Sequence, residues 1–203
     1  MDTLDYIVNK YNLNTDPRVV SPISIPNFTR GTLAVLFAEL GFTRGVEIGV
    51  QNGVYSKTLC DANPTMEFYG IDPYLEYEDI GIPGDQGDQD RAYEDTKARY
   101  PANGTLIRKM SMDAVGDFPD LYFDFVYIDG NHTFPYAAND IYYWLKKLRV
   151  GGIIAGHDYR RYYPRSCIHV FQVVNAYTAA YDIKPWFITE GEKVRSFFWV
   201  KSA

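Results

Sequence analysis

The sequence predicts an α/β fold: a mostly parallel sheet of seven strands with an antiparallel C-terminal strand, and helices on both faces. Three observations predict it. Short, nearly continuous apolar runs alternate with stretches of helical periodicity, as parallel strands buried on both faces and their crossover helices require. One such run, 45–50, passes through glycines straight into a helix and on to a second run at 67–72, which is a βαβ unit. The last two runs are separated only by Glu190-Gly191-Glu192-Lys193, a joint short enough for an antiparallel hairpin.

A chain of 203 residues has the length of one domain and buries about 70% of the surface its unfolded form exposes. A hydrophobic fraction of 46% with 23% charged residues sets aside disordered and fibrous classes. The net charge of −6 offers no footprint for nucleic acid, despite the Arg160-Arg161 pair. The opening MDTLDYIVNKY lacks a basic region followed by an apolar one, and nowhere do about 18 apolar residues run without charge. Neither a nucleic-acid partner, nor a membrane partner, nor a secretory leader is therefore expected. Cys60 and Cys167 make neither a metal-ligand spacing nor a disulfide framework; they read as packing residues of a cytoplasmic protein.

Taken in order, residues 1–27 form a polar, proline-containing arm and 28–203 a single domain. Thr29 or Asn27 caps a helix in which Leu33, Leu36, Phe37 and Leu40 recur at helical spacing, and Gly41 stops it. Strand 45–50, helix 55–62 and strand 67–72 follow. The acidic, glycine-containing segment 74–89 is the one long irregular stretch, and a lid over a site and plain disorder explain it equally well. Strands at 105–109 and 124–129, a helix at 136–148 and a strand at 152–155 lead into Gly156-His157-Asp158. A helix at 166–181 precedes strands at 184–189 and 196–201, and no internal repeat is found.

The strongest local signal is Val46-Glu47-Ile48-Gly49-Val50-Gln51-Asn52-Gly53. Glycines at a strand end let a ligand lie against the backbone, and the following helix N-terminus presents unpaired N–H groups. The spacing is not G-x-G-x-x-G: the middle glycine that admits a pyrophosphate is missing, and Glu47 brings negative charge to the spot. A cationic ligand head would instead gain a charge-assisted hydrogen bond from that carboxylate. Asp72 closes the next strand, nineteen positions after Gly53, where a carboxylate accepts from both ribose hydroxyls of an adenosine.

Glu47-x-Gly49-x-x-x-Gly53 followed by Ile71-Asp72-Pro73 resembles the first two motifs of class I S-adenosylmethionine-dependent methyltransferases. Residues 44–50, 125–132 and 151–159 are similar to a small-molecule branch of that family associated with sugar and natural-product tailoring, and the likeness spans most of 30–201. It implies a Rossmann-like methyltransferase fold and S-adenosylmethionine as cofactor. It also implies that Glu47 and Gly49 border the methionine part, that Asp72 holds the ribose, and that Ser111 and Met112 lie beside adenine. Here the chain departs from its relatives: Lys109-Met110-Ser111 stands where Gly-Asp-Ser is common, and core packing is an equal reading for Met110 and Met112.

Ligands in open α/β sheets bind outside the carboxyl ends of the strands, where Asp129 and His157-Asp158 fall, with His132 close behind. Methyl transfer is an in-line displacement, so the protein holds the acceptor atom near the methyl carbon and, for a hydroxyl, helps remove its proton. His132 or His157 is the candidate base, and Asp129 both a catalytic group and a cofactor contact. A second mechanism uses Asp129 and Asp158 as ligands of Mg²⁺ or another divalent cation, similar to catechol-type methyltransferases; the third ligand is open, because His157 replaces an expected acid. Tyr74, Tyr77, Tyr159, Tyr162 and Tyr163 flank the crevice, whereas Tyr136, Tyr143 and Trp144 read as core or as a homo-oligomer surface. The leading reading is an O-methyltransferase acting on a small hydroxylated acceptor, a sugar or secondary metabolite. A nicotinamide-dependent oxidoreductase and a non-catalytic cofactor-binding module are the competing readings.

Overall fold

In the computed structural model, which describes residues 2–16, 18–76, 85–162 and 166–203, all the apolar runs but the last pair in parallel. Strand β2 (Arg44–Ile48) lies between β3 (Glu67–Ile71) and β5 (Phe123–Ile128), with β4 (Gly104–Ile107) outside β3 and β6 (Leu148–Gly156) outside β5. Beyond β6 come β8 (Phe197–Val200), which runs antiparallel to both its neighbours, then β7 (Phe187–Glu190) and β1 (Ile23–Pro26). The order is β1-β7-β8-β6-β5-β2-β3-β4.

The sheet therefore has eight strands, one more than the apolar runs suggested. The extra one, β1, is the four-residue Ile23-Ser24-Ile25-Pro26, ended by a proline and lying at the sheet edge, where a missing N–H is tolerated. The arm also carries helix α1 (Thr3–Lys10), whose Ile7 is buried. A second unexpected element is α4 (Gln86–Ala98): it is almost wholly polar and so shows no apolar stripe, but Asp85 and Asp88 close a capping box at its start. The end of the supposed irregular segment is thus the first turn of a helix, while 77–84 lie outside the described residues.

Two hydrophobic layers sandwich the sheet. Helices α2 (Arg30–Glu39) and α3 (Val54–Ala62) cover one face, where Phe37 stacks on Phe125 with ring centroids 4.1 Å apart. Helices α6 (Phe134–Lys147) and α7 (Val170–Ala180) cover the other, burying Trp144, Ile141 and Val174 against Val126, Ile128 and Ile154. Strand β5 supplies both layers by its period of two, and each fully buried Phe or Val contributes about 1.5–3 kcal/mol. The short α5 (Ser111–Ala114) follows β4. Among the described residues no helix is long and apolar enough to cross a membrane.

Candidate active site

The carboxyl ends of β2, β3, β5 and β6 open into one cleft of about 560 Å³. Gly49 and Asp129 set its floor. Gly49 has φ +89°, and a Cβ there would stand 2.1 Å from the Asp129 carbonyl oxygen, so only glycine lets the ends of β2 and β5 come this close. Gly53, at φ +66°, opens α3, whose first turn has no side-chain cap.

The β2–α3 turn is clamped from the side. Asp72 Oδ2 accepts from Val50 and Gln51 N–H, both at 2.9 Å, and Oδ1 from Tyr74 N–H at 2.8 Å. The Gln51 carbonyl accepts from the Tyr74 and Thr96 hydroxyls at 2.8 and 2.9 Å, which holds Gln51 at φ +48°. Tyr74, read as a wall of the crevice, is buried and pins this turn.

Glu47 is 2% exposed and accepts from the Ser56 hydroxyl, which in turn accepts from Tyr100. Burial pushes the Glu47 carboxyl up to about 8; repulsion from Asp129 and Asp72 adds to this, while the Ser56 hydrogen bond and Arg30 oppose it.

At the far end carboxylates and imidazoles face one another directly. His132 Nε2 lies 3.3 Å from Asp129 Oδ1 and 3.1 Å from Asp158 Oδ2. His157 Nδ1 lies 3.3 Å from Asp158 Oδ2 and 3.8 Å from Asp129. Burial disfavours the charged form of His132, but the Asp129 hydrogen bond and the field of both carboxylates outweigh it and raise its pKa. Burial likewise works against the Asp158 anion, yet hydrogen bonds from His157 and Tyr162 and the field of His132 bring it down to about 2. Asp129, His132 and Asp158 each offer an oxygen or nitrogen, and these three atoms lie within 4.8 Å of one another.

Of the residues expected at the site, Glu47, Gly49, Asp72, Ser111, Asp129, His132, His157 and Asp158 line the cleft. Met112 packs against the core, and Met110 stands in the wall instead. Tyr162 bonds Asp158, whereas Tyr159 is buried against Trp186; Tyr77 and Tyr163 lie outside the described residues. Tyr136, read as core or interface, lines the cleft, Trp144 is buried and Tyr143 is exposed.

Two charged lining residues escaped the sequence reading. Asp140 is 4% exposed, accepts from the Ser111 hydroxyl, and is pushed up to about 7 by burial; that hydroxyl accepts from Trp144 Nε1 at 2.7 Å. An acid at 140 beside Ala137, Ile141 and Trp144, on the apolar stripe of α6, was its visible signal. Arg30 reaches the cleft from the start of α2 and is placed there by the fold, with no local signal.

Residues 46–159 match the family described as methyltransferase domain. The chain belongs to that family. No curated protein matches its sequence. Among solved structures, this methyltransferase-family chain is similar in fold to the O-methyltransferase TomG from Streptomyces achromogenes, involved in tomaymycin synthesis and solved with S-adenosylmethionine: 17% identity, 100% of this chain and 91% of that one, TM-score 0.59. An O-methyltransferase from Bacillus cereus in complex with S-adenosylhomocysteine gives 17% identity, 98% and 90% coverage and a TM-score of 0.56. The methyltransferase PaMTH1 from Podospora anserina, bound to S-adenosylhomocysteine, gives 16% identity, 85% and 78% coverage and a TM-score of 0.54.

Proposed function

We propose that this methyltransferase takes the methyl group of S-adenosylmethionine and passes it to a hydroxyl of a small molecule such as a sugar or secondary metabolite. The observation that carries the reading is the division of one cleft into two ends. The Glu47, Gly49 and Asp72 end suits an elongated cationic nucleoside, and the Asp129, His132, His157 and Asp158 end suits an acceptor hydroxyl. Glu47 and Asp129 would hold the cofactor's ammonium. Asp72 spends three of its roughly four lone-pair positions on the turn and keeps one for a ribose hydroxyl. Gly53 opens α3 without itself lining the cleft, and Ser111 would border adenine, with Met110 taking the wall position first expected of Met112.

In the reaction the S–CH₃ bond of the sulfonium breaks as an O–CH₃ bond forms, leaving neutral S-adenosylhomocysteine. The acceptor's proton leaves to His157: its Nδ1 faces Asp158, so Nε2 is the nitrogen left to receive it. His132, shared by two carboxylates, is better suited to holding charge than to taking a proton. Calorimetric titration tests the reading: micromolar binding of S-adenosylmethionine and S-adenosylhomocysteine is expected, and tight binding of NAD with neither of these would return the protein to the oxidoreductase reading.

The Asp129, His132 and Asp158 triad favours a second, metal-assisted version. Two carboxylates and one imidazole fit a divalent cation, Mn²⁺ or Zn²⁺ better than Mg²⁺ because imidazole is a poor ligand for the last. Such an ion would acidify an acceptor hydroxyl and orient a neighbouring one. Loss of turnover on chelation, restored by Mn²⁺, is the expected result; turnover indifferent to chelator would leave His157 to act alone.

A further inference from the structure

The cleft wall holds acids at Glu47, Asp72, Asp129, Asp140 and Asp158, yet among the described residues, apart from its two histidines, the cationic side chain lining it is Arg30. The amino-acid end of S-adenosylmethionine is a zwitterion. Its ammonium is welcome among carboxylates, but its own carboxylate would be repelled by them unless a cation stands beside it.

Arg30 lines the cleft beside Asp129 and is held there. Its backbone N–H donates to Glu192 Oε1 at 3.2 Å, and the Tyr55 hydroxyl donates to its carbonyl at 3.1 Å. The guanidinium carbon lies 5.3 Å from the Tyr55 ring centroid, with the Tyr127 hydroxyl beside the group. Its two acidic neighbours stop short: Asp129 Oδ2 is 3.6 Å from Nη1 and Glu192 Oε2 is 3.7 Å from Nε. Both gaps exceed a hydrogen bond, so the fork of five N–H donors retains capacity for a bidentate carboxylate. Tyr55 also belongs to the first turn of α3, which has no side-chain cap and lines the same wall through Val54 and Tyr55. A carboxylate between that turn and the guanidinium meets unpaired N–H groups on one side and a cation on the other.

We propose that Arg30 binds the carboxylate of the cofactor's amino-acid end, opposite the Glu47 site for its ammonium, so that the cleft reads the zwitterion as a unit. This inference rests on the S-adenosylmethionine reading above. Glu192, at the β7–β8 turn, is then a positioning residue that links the C-terminal hairpin to cofactor recognition through the Arg30 backbone.

The test compares S-adenosylmethionine with its decarboxylated form, which lacks only the group in question, by calorimetry on wild type, Arg30→Met and Arg30→Lys. Wild type should prefer the complete cofactor by about 10- to 100-fold, the range of hydrogen bonds to charged groups. Arg30→Met should lose that preference while binding the decarboxylated form as wild type does, and Arg30→Lys should keep part of it. Because the preference is a ratio within each variant, a general loss of affinity does not imitate the effect. A full preference retained in Arg30→Met overturns the role of Arg30 alone; wild type binding neither compound overturns the cofactor reading as well.

Discussion

The two ends of the cleft are built differently. At the β2–β3 end, polar side chains are spent on backbone: Asp72 accepts three N–H groups, Tyr74 and Thr96 share the Gln51 carbonyl, and Glu47 is buried under Ser56. At the β5–β6 end, side chains face other side chains, with Asp129, His132, His157 and Asp158 separated by 3.1–3.8 Å. The first end is part of the fold, and its shape is paid for by glycines and buried bonds. The second is a charge cluster resting on rigid strand ends. Substitution at the first should cost stability and cofactor affinity together, whereas substitution of His157 or Asp158 at the second should cost turnover alone; Asp129, shared with the cofactor's ammonium, joins the two.

The largest separation is expected for His157→Ala. Removing a general base costs about 10²–10⁴-fold in rate, while affinity for S-adenosylhomocysteine should stay within about twofold, because the ring lies at the acceptor end. An unchanged kcat would remove His157 from the chemistry, and an equal loss of affinity would erase the contrast between the two ends.

The opposite case is Gly49→Ala. The new Cβ would meet the Asp129 carbonyl at 2.1 Å with φ at +89°, so β2 and β5 must part. Overpacking and left-handed backbone together predict a loss of about 3 kcal/mol, or about 6–12 °C in melting temperature for a chain of this size, together with cofactor affinity. Gly116→Ala is the control, since a Cβ there meets nothing within 4 Å. Equal melting temperatures for the two variants would show that the strand ends are not locked together at Gly49.

Much of this was legible in the sequence for physical reasons. Apolar runs mark buried parallel strands whatever their order, and strand-end residues such as Glu47, Asp72, Asp129 and Asp158 converge because ligands in such sheets sit at the carboxyl ends. What escaped depends on pairing across the chain. Strand β1 is too short and too rich in proline to stand out until β7 lies beside it. Helix α4 has no apolar stripe to announce it. His132 carried the right residue type but an incomplete role, because spacing alone does not reveal that one nitrogen falls between two carboxylates contributed by β5 and β6. Arg30 is separated from Asp129 in sequence by half of the sheet's strands, and only the packing of α2 brings the two together.

The smallest effect expected is also the one that best probes the buried end. Glu47 has a folded-state pKa of about 8, above its ordinary value of 4.5, so the folded protein holds a proton that the unfolded chain has lost over that interval. Stability contributed through this group therefore falls as pH rises from about 4.5 to about 8, with a slope of at most about 1.4 kcal/mol per unit, and levels off above. Binding works the other way. An incoming ammonium favours the ionised carboxylate, so cofactor binding should release a proton, and affinity should rise by at most about tenfold per unit between about pH 6 and 7.5. Titrating S-adenosylhomocysteine in buffers of different ionisation enthalpy counts that proton directly. Glu47→Gln should abolish the release and flatten the affinity profile; a wild type that binds without releasing a proton would mean that Glu47 is already ionised, and that its burial is offset by the charge of Arg30 rather than by protonation.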